Sequence, residues 1–285
     1  MLEIRTPAAM RAWADRTRAD GRRIGLVPTM GYLHAGHLSL VAEARRQVDA
    51  CVVSIFVNPM QFNAKDDLAR YPRDLAGDRG QLERAGADVL FMPSAEDMYQ
   101  AGFQTEVTVS KVTAELCGRL RPGHFRGVTT VVAKLFNAVK PHLAIFGEKD
   151  FQQLATIRRM VADLDFGIEI VGMPTMRETD GLAMSSRNAN LSPPERIAAR
   201  CLSRALAAGR DAVAAGTRTA EAVLARVRAV LAREPLARLD YAELVDAETI
   251  EPIETIEERP ALLALAVFVG RTRLIDNAVL TATSE

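Results

Sequence analysis

Short, dense apolar runs alternate along the first two thirds of the chain with stretches in which apolar residues recur every three or four positions. Ile24, Leu26 and Val27 read as a buried strand that Pro28 and Gly31 stop, and Leu38, Leu40, Val41 and Ala44 then follow at helical spacing. Ala50 to Val57 is almost continuously apolar and rich in β-branched residues, the pattern of a strand covered on both faces by helices, and it implies a parallel sheet. Leu75 to Ala85 predicts a helix feeding a strand over Ala87 to Met92, and Val128 to Val139 a helix feeding His142 to Phe146. Ile168 to Val171 predicts a further strand before Pro174. Strand and helix alternating over short connections give an α/β fold class.

The pattern changes near residue 190. Pro193 to Ala215 and Thr219 to Arg233 predict amphipathic helices rich in alanine and arginine, while Leu239 to Val245 and Leu262 to Val269 read as strands with no helical crossover between them. The expected organisation is a parallel-sheet domain over 1–177 and a smaller α+β domain over 178–285. The join, Pro174 to Pro194, contains Gly181 and the polar group Ser185-Ser186-Arg187-Asn188. It reads either as a linker or as part of an interdomain ligand site.

Open parallel sheets bind ligands at the carboxyl ends of their strands, so chemistry-bearing residues should follow strands directly. They do. His34 and His37 follow the first, Asn58 and Gln61 the second, and Lys149 and Asp150 the one ending at Phe146. His34 and His37 fall at a predicted helix start, where first-turn N–H groups lack internal partners and favour phosphate. Gly36 between them keeps a side chain out of the way. A zinc site of His34, His37 and His124 is the alternative, but no acidic or cysteine ligand accompanies the pair at a metal spacing.

Composition narrows the partners. The 285 residues are 48% hydrophobic and 25% charged, ordinary for a globular protein. Lys plus Arg equals Asp plus Glu at 36 each, so no global field draws nucleic acid or a membrane surface. Cys51, Cys117 and Cys201 are few and far apart, which fits a reducing cytoplasm rather than a disulfide framework. Arg5, Arg11, Asp15, Arg16 and Arg18 interrupt any apolar leader, and no segment is expected to span a membrane.

Lys149 within Gly147-Glu148-Lys149-Asp150 offers a point charge for a triphosphate, and Ser185, Ser186 and Arg187 offer two hydroxyls and a guanidinium fork. Each group alone reads equally well as a solvated turn. Arg119, Arg121, His124 and Arg126 around Pro122-Gly123 form a basic cluster suited to an anion. Asn58 and Gln61, with Gln152 and Gln153, are neutral amides better matched to hydroxyl and carboxylate groups, which points to a small polar substrate beside a nucleotide. Consecutive glutamines on a helix diverge, so at most one of Gln152 and Gln153 faces that substrate. The Gly-x-x-x-x-Gly-Lys loop and the Gly-x-Ser-x-Gly turn are both missing, which argues against a P-loop nucleotidase and a serine hydrolase.

PTMGYLHAGH at 28–37, VNPMQF at 57–62, RPGHFRGVTTVVAKLF at 121–136, FGEKDFQQ at 146–153 and MSSRN at 184–188 together closely resemble the pantothenate synthetase family, over nearly the whole chain and in the same order. A His-x-Gly-His turn alone would indicate only the wider nucleotidylyltransferase superfamily. The resemblance implies a Rossmann-like N-terminal domain, a smaller α+β C-terminal domain that closes over ATP, and a cytoplasmic homodimer. It implies ATP-dependent condensation of pantoate with β-alanine through pantoyl adenylate, releasing AMP and pyrophosphate, with Mg2+ accompanying ATP. Residue by residue, it assigns Met30, Gly31, Tyr32, Leu33, His34, Ala35, Gly36 and His37 to ATP, together with Gly147, Glu148, Lys149 and Asp150. Met176 becomes a backbone contact to adenine, and Met184, Ser185, Ser186 and Arg187 a mobile phosphate loop. Gln61 and Gln153 match the pantoate glutamines, Asn58 lies in the same segment, and His34, His37, Lys149, Ser185, Ser186 and Arg187 would stabilise developing charge. The Asp74 to Asp78 stretch is less constrained, and no protein ligand for the metal is assigned. Two rivals remain: a nucleotidylyltransferase that keeps the nucleotide on its product, and a non-catalytic nucleotide-binding module.

Overall fold

The computed structural model describes residues 1–62, 68–69 and 71–282. The chain divides into two compact units, one of Met1–Ser110, Arg121–Glu148 and Thr156–Pro174, the other of Lys111–Leu120, Lys149–Ala155 and Thr175–Glu285.

The first unit is built on six parallel strands: β1 (Leu2–Ile4), β2 (Ile24–Thr29), β3 (Ala50–Ile55), β4 (Val89–Phe91), β5 (Leu143–Gly147) and β6 (Glu169–Met173). Their order across the sheet is β1-β4-β3-β2-β5-β6. The chain winds outward from β2 through β3 to β4, then resumes on the other side of β2 with β5 and β6. The topology therefore reverses between β2 and β5, and a crevice opens there outside the carboxyl ends of an α/β sheet. Val27, Val53, Leu90 and Ile145 form one core face with Leu40, Val41 and Ala44 of the helix Ala35–Gln47.

Two differences from the expected elements have local causes. β2 runs through Pro28 to Thr29 instead of stopping at Pro28, because β5 pairs with β2 only at Gly25 and Leu26. Pro28 has β3 alone beside it, so its missing N–H is tolerated. The segment expected as one helix over Pro193 to Ala215 is two, Pro193–Ala198 and Cys201–Ala214. Arg200 N–H donates to Ile197 O at 3.3 Å and Leu202 N–H to Ala199 O at 3.2 Å, so tight i to i−3 bonds break the α-helical ladder between them.

The second unit carries a three-stranded antiparallel sheet in the order β7 (Ala237–Asp246), β8 (Ala261–Val269), β9 (Thr272–Leu280). The central β8 is buried along nearly its whole length. The helices Cys201–Ala214 and Ala220–Leu231 cover the sheet through Leu202, Leu206, Val223 and Val227. β9 was not among the expected strands. Its inward row reads Leu274, Asp276, Ala278, Leu280, and the carboxylate interrupts the apolar alternation that would have marked it.

In the parallel sheet, Ile24 N–H donates to His142 Nδ1 at 2.9 Å, which requires that nitrogen to be unprotonated. Burial, with Arg18 and Arg23 nearby, holds the His142 pKa below its ordinary 6.5. A depressed histidine gives stability that is complete above 6.5 and is lost as pH falls through the interval below it. Thermal unfolding followed from about pH 7.5 to about pH 5.5 is expected to show a larger drop in Tm for the wild type than for His142→Asn, which keeps an acceptor and does not titrate.

Candidate active site

At the carboxyl end of β2 the backbone turns through two successive left-handed residues, Gly31 at φ 82° and Tyr32 at φ 52°. This conformation costs a residue with a side chain about 1–2 kcal/mol, so Tyr32 needs something to hold it there. Asp78, buried on the helix Leu75–Ala85, supplies it: Tyr32 N–H donates to Oδ2 at 2.8 Å and Leu33 N–H to Oδ1 at 2.7 Å. Burial pushes the Asp78 carboxyl above the usual carboxylate range, and the two N–H bonds pull it back. A Cβ on Gly31 would stand 3.0 Å from both Asp78 Oδ2 and Ile55 Cγ2, so a side chain there would press on the carboxylate as well as strain the backbone.

The turn delivers His34 as the N-cap of the helix Ala35–Gln47. His34 N–H donates to His37 Nδ1 at 3.3 Å, and the two rings lie 4.0 Å apart with a 34° tilt. Because Nδ1 of His37 accepts, the neutral ring carries its proton on Nε2 and is a donor there. A hydrogen-bond donor thus stands with a helix N-terminus beside the switch point, a combination suited to phosphate oxygens.

Asn58, Gln61 and the start of the helix His124–Val139 form a second layer in the same unit. Asn58 is buried and donates through Nδ2 to Gly127 O at 3.0 Å and to Gln61 Oε1 at 3.1 Å. Its Oδ1 accepts from Met60 N–H at 3.3 Å and from the Tyr99 hydroxyl at 2.7 Å. Gly127 O can only accept and Met60 N–H can only donate, so the Asn58 amide has one allowed orientation. That orientation fixes the next amide: Gln61 must turn Oε1 toward Asn58 and present its NH2 group, which rests on Met30 Sδ at 3.1 Å. The sulfur is a weak acceptor, so this NH2 has donor capacity to give to a substrate oxygen. Gln61 O accepts from His124 Nδ1 at 2.8 Å and from Arg121 Nη2 at 3.3 Å. The helix comes this close because Gly127 has no side chain; a Cβ there would meet Met60 O at 2.4 Å.

Gly147 and Glu148 lie in the first unit at the end of β5, and the second unit holds the remaining expected residues. Lys149 and Asp150 lie in a single turn of 3-10 helix, Glu148–Asp150, directly after β5, with Lys149 Nζ 3.8 Å from Asp150 Oδ2. Gln152 is buried and fully engaged: its Oε1 accepts from Cys117 N–H at 3.0 Å, and its Nε2 donates to Val112 O at 3.0 Å and Glu115 O at 2.7 Å. Of the two glutamines, Gln153 is therefore the one left for a ligand. Met176 to Met184 forms a hairpin, closed by Met184 N–H on Met176 O at 2.9 Å and by pairing of Arg177 with Ala183. Ser185 caps the turn that follows, its hydroxyl accepting Arg187 N–H at 3.2 Å, and Ser186 is buried.

Two of the basic residues around Pro122-Gly123 are paired with carboxylates. Arg119 pairs with Glu115 and Glu243, and Arg126 with Glu106 at 3.2 Å. Arg121 and His124 are both directed to Gln61 O. No group of three or more His, Cys, Asp or Glu residues that could hold a metal occurs among the described residues, so His34, His37 and His124 do not make a zinc site there. Sequence reasoning missed Asp78, Tyr99, Arg177, Asp276 and Asn277 as supports of these segments. Only Asp276 carried a signal, a charge on the inward row of a strand.

A parallel sheet that reverses direction beside a His-x-Gly-His helix start, with amides rather than a nucleophile at the next strand end, defines an α/β enzyme that joins or transfers groups. The family model described as pantoate-beta-alanine ligase matches residues 3–279. The chain belongs to that family. It is 59% identical over 280 residues to the pantothenate synthetase of Geobacter sulfurreducens, covering 98% of this chain and 99% of that protein. It is 55% identical to that of Heliobacterium modesticaldum, with the same coverage. The solved pantothenate synthetase of Thermus thermophilus superposes with a TM-score of 0.91 at 47% identity, covering 98% of this chain and 99% of that one. A pantoate-beta-alanine ligase from Francisella tularensis, solved as a complex with beta-gamma ATP and beta-alanine, matches at a TM-score of 0.82 and 33% identity, covering 100% and 99%.

Asp78→Asn keeps the shape but replaces one acceptor with a donor facing a backbone N–H. The variant is expected to lose about 1–3 kcal/mol in urea unfolding, the cost of an unsatisfied buried group. A loss well below that range would show that the turn holds without its carboxylate.

Proposed function

We propose that the chain activates pantoate with ATP and then transfers it to β-alanine. The pantoate carboxylate attacks the α-phosphorus, pyrophosphate leaves, and pantoyl adenylate forms. The β-alanine amine then attacks the acyl carbon, expelling AMP and leaving the amide. The observation that carries this reading is the His37 ring in the first turn of the helix Ala35–Gln47, whose Nδ1 accepts from His34 N–H and which therefore carries its proton on Nε2, beside the switch point.

In this reading Met30 to His37 and Gly147 to Asp150 bind the nucleotide, and Met176 meets the adenine through its backbone. Its N–H is the group for that contact, since its carbonyl accepts from Met184. Lys149, Ser185, Ser186 and Arg187, with His34 and His37, carry the negative charge that builds on the α-phosphate and pyrophosphate. Gln61 and Gln153 hold pantoate, Gln61 through the NH2 group that Asn58 turns outward. Asn58, with its donors and acceptors spent on protein, acts by orienting Gln61. No protein nucleophile is needed, because the attacking carboxylate belongs to the substrate, and positioning supplies much of the acceleration.

Magnesium in this reading arrives with ATP; no group of three or more His, Cys, Asp or Glu residues that could hold a metal occurs among the described residues. The reading includes a cytoplasmic homodimer acting on small molecules; no helix among the described residues is long and apolar enough to cross a membrane.

His37→Ala is expected to lower the rate of pyrophosphate release from ATP and pantoate about a hundredfold to a thousandfold while leaving the unfolding curve unchanged. Adenylate formation at the wild-type rate would remove His37 from this role. Product analysis of the wild type with ATP, Mg2+ and pantoate, with and without β-alanine, tests the reaction itself. AMP and amide are expected together only when β-alanine is present; ADP or a stable nucleotide-linked product would overturn the scheme.

A further inference from the structure

Asp276 lies on the inward row of β9 between Leu274 and Ala278, where its side chain is 1% exposed. An unpaired carboxylate at such a position would be strongly disfavoured. It is paired through both oxygens: Arg177 Nη1 donates to Oδ2 at 2.7 Å and Nη2 to Oδ1 at 2.9 Å, and Asn277 N–H adds a bond to Oδ1 at 2.9 Å. Arg177 also donates to Gly181 O at 3.1 Å, across the hairpin to which it belongs. One guanidinium therefore closes the Met176–Met184 hairpin and ties it to β9. The Ser186–Asn190 turn that follows packs on the same strand.

The next residue on β9 holds a different segment. Asn277 Nδ2 donates to Lys149 O at 2.9 Å. Successive residues of a strand point to opposite faces, so Asp276 and Asn277 grip two chain segments that are about thirty residues apart in sequence, each by a bond that only its own side chain makes. A buried ion pair is weak evidence for stability, since an apolar pair of similar volume often serves as well. What the Asp276–Arg177 fork does supply is direction, because two parallel N–H···O bonds fix the guanidinium plane.

We propose that Asp276 and Asn277 are positioning residues that set the Lys149 backbone and the Met176–Arg187 segment at a fixed spacing, so that the ammonium and the Ser185-Ser186-Arg187 group are arranged for a nucleotide triphosphate before it binds. This rests on the ATP reading given above. Neither residue touches substrate in this scheme; both act through the groups they hold.

Asn277→Ala and the isosteric Asn277→Asp, which places an acceptor against the Lys149 carbonyl, are the variants to compare with wild type. Asn277 is only partly buried, and Asp276→Asn with a melting curve serves as the buried counterpart. The expected result is a fall of about tenfold to a hundredfold in kcat/KM for ATP in pantoyl adenylate formation. The KM for pantoate, the Tm and the reaction of preformed pantoyl adenylate with β-alanine should stay at wild-type values in the Asn277 variants. A purely structural role would lower both half-reactions together with Tm, and that result, or an unchanged kcat/KM for ATP, overturns the proposal. Wild-type protein that forms no adenylate overturns the ATP reading itself, whereas active wild type with unaffected Asn277 variants overturns only the positioning role.

Discussion

Two hydrogen bonds from Tyr32 and Leu33 N–H to the Asp78 carboxylate hold a backbone that would not otherwise stay where it is. The left-handed pair Gly31 and Tyr32 redirects the chain within two residues of the end of β2, and the helix Ala35–Gln47 starts at His34 only because of that redirection. If the turn relaxed, His34 and His37 would leave the carboxyl edge of the sheet together. An arrangement of this kind stores strain of order 1–3 kcal/mol and survives because its surroundings over-determine it. Here they do so through a buried carboxylate that accepts both N–H groups and a glycine that adopts the left-handed conformation without strain.

The second strand end is ordered by a different logic, in which the polarity of one amide dictates the next. Gly127 O and Met60 N–H leave Asn58 a single orientation, Asn58 leaves Gln61 a single orientation, and the NH2 of Gln61 reaches Met30 on the neighbouring loop. Buried polar networks are costly when half satisfied and specific when complete. This one is complete at Asn58, whose four hydrogen-bonding directions are all used, and is left with a weak sulfur partner at Gln61, where a ligand oxygen would bind better. In the proposed function this under-used NH2 is the group that meets pantoate.

Much of this was legible in the sequence because periodicity reports burial directly. β2, β3 and β5 are apolar runs bounded by turn residues, and the residues that follow them are the histidines, amides and lysine that the strand-end rule selects. The five motifs identified the family, which no single spacing could do. Long-range partners were not legible. Nothing near Tyr32 and Leu33 in sequence announces that Asp78 will accept from them across 46 and 45 residues, and Tyr99 reaches Asn58 across 41. β9 escaped notice for a related reason: periodicity reads a carboxylate on an inward row as a break, and only tertiary structure reveals that Arg177 makes it a buried pair. The ion pairs of the basic residues near Pro122 were equally hidden, since a run of like charges in sequence says nothing about the Glu115 and Glu243 that pair with Arg119 or the Glu106 that pairs with Arg126.

Each unit thus uses a buried carboxylate in the same way. Asp78 holds the turn before the histidines, and Asp276 holds the hairpin before Ser185, in each case by accepting donors from a segment that carries no regular structure of its own. A reaction whose nucleophile and leaving group both belong to substrates gives the protein little covalent chemistry to perform. Its contribution is a set of donors whose positions are fixed before charge develops, which is where most electrostatic acceleration arises. Loops are the segments that reach strand ends, and they are the least able to hold donors still unaided. Anchoring them from beneath with a carboxylate gives a strand-end loop the rigidity of the sheet, which is what the proposed function asks of it.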